Sequence, residues 1–150
     1  MKKGLFILLA VIILTSLVSL PVLAAGKDNP ANDKPNNLYL YEKDSSWHVV
    51  WEGAWGKLNL KGNGGAFNGH GLEPDTSYEL IKYVDPWPGV GSVSLGTGVA
   101  DEEGNVHINA DTGGLVYGDK VWLVLDSDFT TQMVGWNPEE YLFEHHLVGF

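Results

Sequence analysis

Gly71-Leu72-Glu73-Pro74-Asp75-Thr76-Ser77-Tyr78 is the stretch whose reading decides the fold. Leu72 is read as entering the core, Pro74 fixes φ at a corner, and the Thr76 hydroxyl is of the kind that bonds the backbone of a turn. Tyr78 then opens a strand, with its hydroxyl set to reach back to the upstream backbone. A tyrosine that closes a corner in this way belongs to Greek-key sandwiches.

Working outward from this corner, the chain is a series of short alternating segments punctuated by Gly, Pro, Asn and Asp. The pattern predicts strands at Leu38–Glu42, His48–Glu52, Ala54–Leu60, Ala66–Gly69, Ser77–Val84, Ser92–Ala100, Asn105–Ala110, Lys120–Asp126 and Glu140–Val148. Lys120–Leu125 is apolar on both alternating faces, which places it centrally in its sheet. Val99–Val106 reads as a hairpin with an acidic turn. No gap holds a long helical pattern. Asn137-Pro138-Glu139-Glu140 predicts one helical turn, with Asn as cap and Pro at the first position. Turn signals recur roughly every 8–12 residues, and the expected architecture is an all-β, antiparallel Ig/fibronectin-like β-sandwich of about seven to nine strands. A small barrel is the alternative.

Leu72, Pro74, Thr76 and Tyr78 resemble the L-x-P-x-T-x-Y signature of fibronectin type III domains. In that family an early strand carries a Trp, a part that Trp51 or Trp55 would play. A wider resemblance rests on Ala54–Leu58, Phe67–Pro74, Asp85–Gly89 and Tyr141–Glu144, which look like blocks of an uncharacterised family of secreted prokaryotic β-sandwich proteins. It implies export and a compact domain, and nothing catalytic.

The N-terminal segment supports the same compartment. Met1-Lys2-Lys3 is followed by an uncharged run from Gly4 to Leu20, a break at Pro21, and small residues at Val22, Ala24 and Ala25. This is the pattern of a cleavable signal peptide over 1–25, with an uncleaved anchor as the alternative. A flexible linker over 26–37, rich in Pro, Asn, Asp and Lys, leads into a domain over 38–150. The expected localisation is secreted, extracellular or at the cell surface. The chain has no Cys, which excludes lipid-modified lipoproteins and disulfide staples alike.

The net charge is −10, and every one of the nine cationic residues is Lys. An acidic chain without Arg is a poor partner for nucleic acid or an anionic membrane surface, since phosphate binding needs clustered cations. A membrane-spanning strand ending at Phe150 would place His146 and Glu144 toward lipid, so no membrane role is expected once the signal is cleaved.

Asp85-Pro86-Trp87-Pro88-Gly89 is the leading candidate for a recognition loop, because two prolines stiffen the backbone that presents Trp87. Trp136, before Asn137-Pro138, sits in a similar context. Two rigid aromatic platforms beside polar groups suit stacking on sugar rings. The candidate ligand-binding residues are therefore His70, Asp85, Trp87 and Trp136. The competing reading is that Trp87 folds down as a cap on the core. Trp47, Trp51, Trp55 and Trp122 lie in or beside strands and are assigned to the core. No H-x-H or H-x-x-x-H pair marks a zinc site among His48, His70, His107, His145 and His146. Asp101, Glu102, Glu103, Asp126 and Asp128 form carboxylate-rich turns that leave calcium open, without the spacing of an EF-hand loop. No nucleophile elbow occurs.

The expected function is a secreted, non-catalytic binding module, with an extracellular polysaccharide or surface protein as its partner and no cofactor. A structural or adhesive protein that self-associates, and a calcium-stabilised domain, are the alternatives.

Overall fold

The computed structural model describes residues 36–149. The signal peptide expected over 1–25 and nearly all of the linker expected over 26–37 lie outside the described residues. Eight strands are present: β1 (Asn37–Tyr41), β2 (Trp55–Lys61), β3 (Gly64–His70), β4 (Ser77–Tyr83), β5 (Val93–Val99), β6 (Val106–Asp111), β7 (Lys120–Leu125) and β8 (Leu142–Glu144). All pair antiparallel in one sheet, in the order β5-β4-β7-β8-β1-β2-β3-β6. The described residues contain no α-helix, only short 3-10 turns such as Asp126–Asp128 and Pro138–Glu140. The described residues are all-β and antiparallel, as the alternation of their short segments predicts.

The sheet curls until its two end strands meet, so that it is nearly closed. β5 and β6 approach at two glycines without side chains. A Cβ added at Gly98 would lie 2.9 Å from the His107 carbonyl oxygen, and one at Gly96 would lie 2.6 Å from that of Asn109. This seam corrects the expected hairpin at Val99–Val106. The turn forms, with Asp101 Oδ1 accepting the N–H groups of Glu103 at 3.0 Å and Asn105 at 2.8 Å. The strands it joins do not pair, because β5 ladders onto β4 and β6 onto β3 at opposite ends of the sheet.

Every strand sends residues into one interior. Leu40 of β1, Leu58 of β2, Phe67 of β3, Leu80 of β4, Ile108 of β6 and Leu123 of β7 are completely buried there. Leu95 of β5 and Leu142 of β8 complete the set. The period-two alternation of strands puts these on one face. On β4, β7 and β8 the opposite face is buried as well: Ile81, Tyr83, Trp122, Val124 and Phe143 pack under Phe129, Met133 and Tyr141. β7 lies between β4 and β8, the central place its two apolar faces predict.

The Gly71–Tyr78 corner has the geometry read from its residues. Leu72 is buried, the Thr76 hydroxyl donates to the Pro74 carbonyl at 3.1 Å, and the fully buried Tyr78 hydroxyl accepts the Glu73 N–H at 3.2 Å. Two expected strands differ. His48–Glu52 is no strand and contributes only a bridge from Lys43 to Val49, because Asp44 Oδ1 takes the N–H groups of Ser46 and His48 into a local turn. Glu140–Val148 contracts to Leu142–Glu144, since the turn at Pro138–Glu140 occupies its start.

The seam sets a stability prediction. Gly98→Ala lowers the unfolding free energy by about 1–3 kcal/mol through overpacking against β6. Gly114→Ala, where an added Cβ meets nothing within 4 Å, changes it by less than about 0.5 kcal/mol. Urea unfolding of the two variants side by side checks this.

Candidate functional site

A cleft of about 850 Å³ opens at the margin of the outer layer over β4, β7 and β8. The floor is made by strand residues. Tyr83 stacks on Trp122 with ring centroids 3.7 Å apart and an interplanar angle of 11°. Phe143 meets Trp122 edge-on at 5.1 Å.

Three loops raise the walls. The first runs from β4 to β5 and carries Trp87 between two prolines, with cis bonds at Asp85-Pro86 and Trp87-Pro88. Its base is clamped by the Ser92 hydroxyl, which accepts the Val84 N–H at 3.0 Å. Gly89 has φ +79°, and a Cβ there would lie 2.6 Å from the Tyr83 ring, so only glycine lets the loop lie against the floor. Asp85 pairs with Lys120 of β7.

The second wall follows the Asp126–Asp128 turn. The buried Asp128 carboxylate holds it: Oδ2 accepts the Asn137 side-chain amide at 2.7 Å and the Tyr141 hydroxyl at 2.5 Å. The Tyr141 hydroxyl in turn accepts the Asn137 backbone N–H at 3.0 Å. Burial first, then the Asp128 carboxylate, drives the Tyr141 phenol well above its ordinary range. Asn137 does flank a turn with Pro138 at its start, yet its side chain serves Asp128 and makes no capping bond. The Met133 N–H donates to the Pro88 carbonyl at 2.8 Å, which ties this loop to the first. Trp136 thereby meets Trp87 at 5.3 Å with the rings nearly perpendicular, at 79°.

The third wall is Trp47, which has φ +64°. A non-glycine residue in that region costs about 1–3 kcal/mol and persists only where its surroundings impose it. Here the Asp44 carboxylate imposes it, accepting two N–H groups of the turn, and these bonds hold the Asp44 pKa below its usual value. Trp47 packs edge-on to Phe143 at 5.0 Å. Lys43 Nζ sits 5.8 Å from the Trp47 ring centroid and 6.0 Å from that of Phe143.

Glu144 completes the lining. Burial pushes its carboxyl above the usual range, opposed by Lys43, a hydrogen bond from Trp122, and Lys120. Its Oε2 is buried without a hydrogen-bond partner.

Of the residues expected from sequence to bind ligand, the cleft brings together Asp85, Trp87 and Trp136. Trp87 is 50% exposed and does not fold down as a cap. His70 is not in the cleft lining: it ends β3, where Nδ1 lies 2.7 Å from Asn105 Oδ1 and the ring lies 4.8 Å from Trp55. Assigning Trp47 and Trp51 to the core is corrected, since they are 53% and 42% exposed. Sequence reasoning thus missed Trp47 as a wall, and with it Tyr83, Trp122 and Phe143 as a floor. Asp44-Ser45-Ser46-Trp47 held the signal, because an Asp that bonds the backbone two residues on favours a local turn over a strand.

The carboxylates weighed for calcium have other tasks at Asp101 and Asp128, where they fasten turns. Among the described residues no group of three or more His, Asp or Glu converges to hold a metal ion. Comparison of the chain with family models, with curated proteins and with solved structures returned no match.

Two predictions follow from these bonds. Tyr141→Phe removes the Asp128 partner and costs about 1.5–3 kcal/mol, as hydrogen bonds to a charged group do; a lowered melting temperature with altered near-UV dichroism checks it. For Glu144, a folded-state value raised by burial means that ionisation disfavours the fold. Stability is then complete below the ordinary glutamate range and declines as pH rises through the raised value. Relative to Glu144→Gln, the native protein loses stability across that window, as paired urea melts at stepped pH will read.

Proposed function

We propose that this chain is an exported, non-catalytic binding module whose aromatic cleft takes up an extracellular carbohydrate. One observation carries the reading: Trp47, Trp87 and Trp136, each between 42% and 53% exposed, converge on one cavity. Single exposed apolar residues are ordinary, whereas a contiguous exposed aromatic patch marks a binding surface. Trp87 and Trp136 stand nearly perpendicular, so they offer stacking faces from more than one direction. Asp85, Lys120 and Lys43 supply a few polar groups among apolar walls, the composition of a small-ligand site. Sugars fit it through their apolar C–H faces and polar edges.

Export rests on the pattern over 1–25. The finer architectural reading, an Ig/fibronectin-like sandwich, is supported by the tyrosine corner.

A structural or adhesive role is the second reading, favoured by Val93 and Val99 on end strand β5, which are 53% and 63% exposed. A sedimentation profile independent of concentration would remove it.

Tryptophan-fluorescence titration with soluble mixed-linkage β-glucan, xylan and galactomannan tests the first reading. Trp87→Ala or Trp136→Ala weakens binding about tenfold or more, equivalent to about 1.4 kcal/mol or more. Trp55→Ala, outside the cleft, leaves it unchanged. A folded protein that binds none of the three polymers contradicts the proposal.

A further inference from the structure

A second pocket of about 470 Å³ lies against the cleft and shares Lys43, Trp47, Trp136 and Phe143 with it. Trp47 and Trp136, 6.4 Å apart at 38°, therefore line both cavities and form a divide between them. The second pocket alone is also lined by Ser45, Val50 and Pro138, residues of the same two loops that carry Trp47 and Trp136. Trp47 holds its place with a strained backbone, a cost that the interior packing of the sheet does not require.

The charges of the two pockets bear on the occupant. The main cleft is lined by Lys43 and Lys120 beside the carboxyls of Asp85 and Glu144, within a chain of net charge −10. The second pocket adds Glu42, Asp44 and Glu139. Two of these are engaged in the protein's own structure: Glu42 Oε2 accepts the Ala54 N–H at 3.0 Å, and Asp44 holds the Trp47 turn. Such a lining repels polyanions and offers acceptors to hydroxyl groups.

We infer that the two pockets are consecutive subsites for one linear, uncharged polysaccharide chain, which crosses the Trp47–Trp136 divide. The inference rests on the carbohydrate reading and deepens it. The ligand is then an internal stretch of polymer, and a single sugar engages only part of the site. Affinity grows with chain length until the second pocket is filled, because each added contact surface is gained without a further loss of translational freedom.

The test uses ladders of two to six sugar units from β-1,4-glucan, β-1,3-glucan, xylan and mannan, titrated into the protein by calorimetry, with a glucosamine hexamer as the cationic comparison. In the ladder that binds, the hexamer is expected to bind about tenfold or more tighter than the trimer. Ser45→Trp blocks the second pocket from an exposed position. It should bring the hexamer down to the trimer's affinity and leave the trimer unchanged, and the retained trimer affinity reports that the variant is folded. Equal affinities of trimer and hexamer, a silent Ser45→Trp, or tighter binding of the glucosamine hexamer than of any neutral ladder would each overturn the inference while leaving a carbohydrate site in place. Failure of every neutral ladder to bind the folded native protein would remove the carbohydrate reading, and this inference with it.

Discussion

A strand that is apolar on both faces must be covered twice. β7, Lys120-Val121-Trp122-Leu123-Val124-Leu125, sets that requirement here. Its inner face is satisfied by the closed interior of the sheet. Its outer face carries Trp122 and Val124 and needs a layer of its own, which Phe129, Met133 and Tyr141 provide. Burying side chains of this size is worth about 1.5–3 kcal/mol each, a contribution that favours the ordering of a segment with almost no regular structure.

That segment is held by polar bonds where it lacks backbone ladders. Asp128 is buried beneath it and binds both Asn137 and Tyr141, and Met133 reaches across to Pro88. The second core and the cleft are therefore one construction. The cover ends beside Trp122, Tyr83 and Phe143, which are themselves buried, and Trp87, Trp136 and Trp47 stand around that edge. Prolines, a buried carboxylate and a strained turn hold the walls of the cleft in place.

Much of the fold was legible because period-two alternation and turn residues are local signals. The corner at Gly71–Tyr78 could be read down to its hydrogen bonds, and β7 could be placed centrally from its two apolar faces. A small barrel stood among the readings, but the strands that close the sheet were not legible, since closure depends on two distant strands meeting at Gly96 and Gly98, and a glycine in a sequence does not say which backbone approaches it. The same limit produced the hairpin at Val99–Val106, where the turn chemistry was correct but the pairing was decided elsewhere. At the site, Trp87 and Trp136 were legible from their prolines. Trp47 was lost because an aromatic beside Val49 and Val50 looks like strand, and the Asp44 turn that expels it is a competing local bond. His70 was drawn in by its chemistry, but the sheet places it beside Trp55 on β3.

The most direct measurement is a ¹H–¹⁵N correlation spectrum of the six tryptophan indole groups, recorded with and without soluble neutral polysaccharide. Shifts confined to Trp47, Trp87, Trp136 and the Trp122 beneath them, with Trp51 and Trp55 unmoved, are the expected result. Shifts centred on Trp55, or none at all at saturating polymer, would contradict a binding role for the cleft.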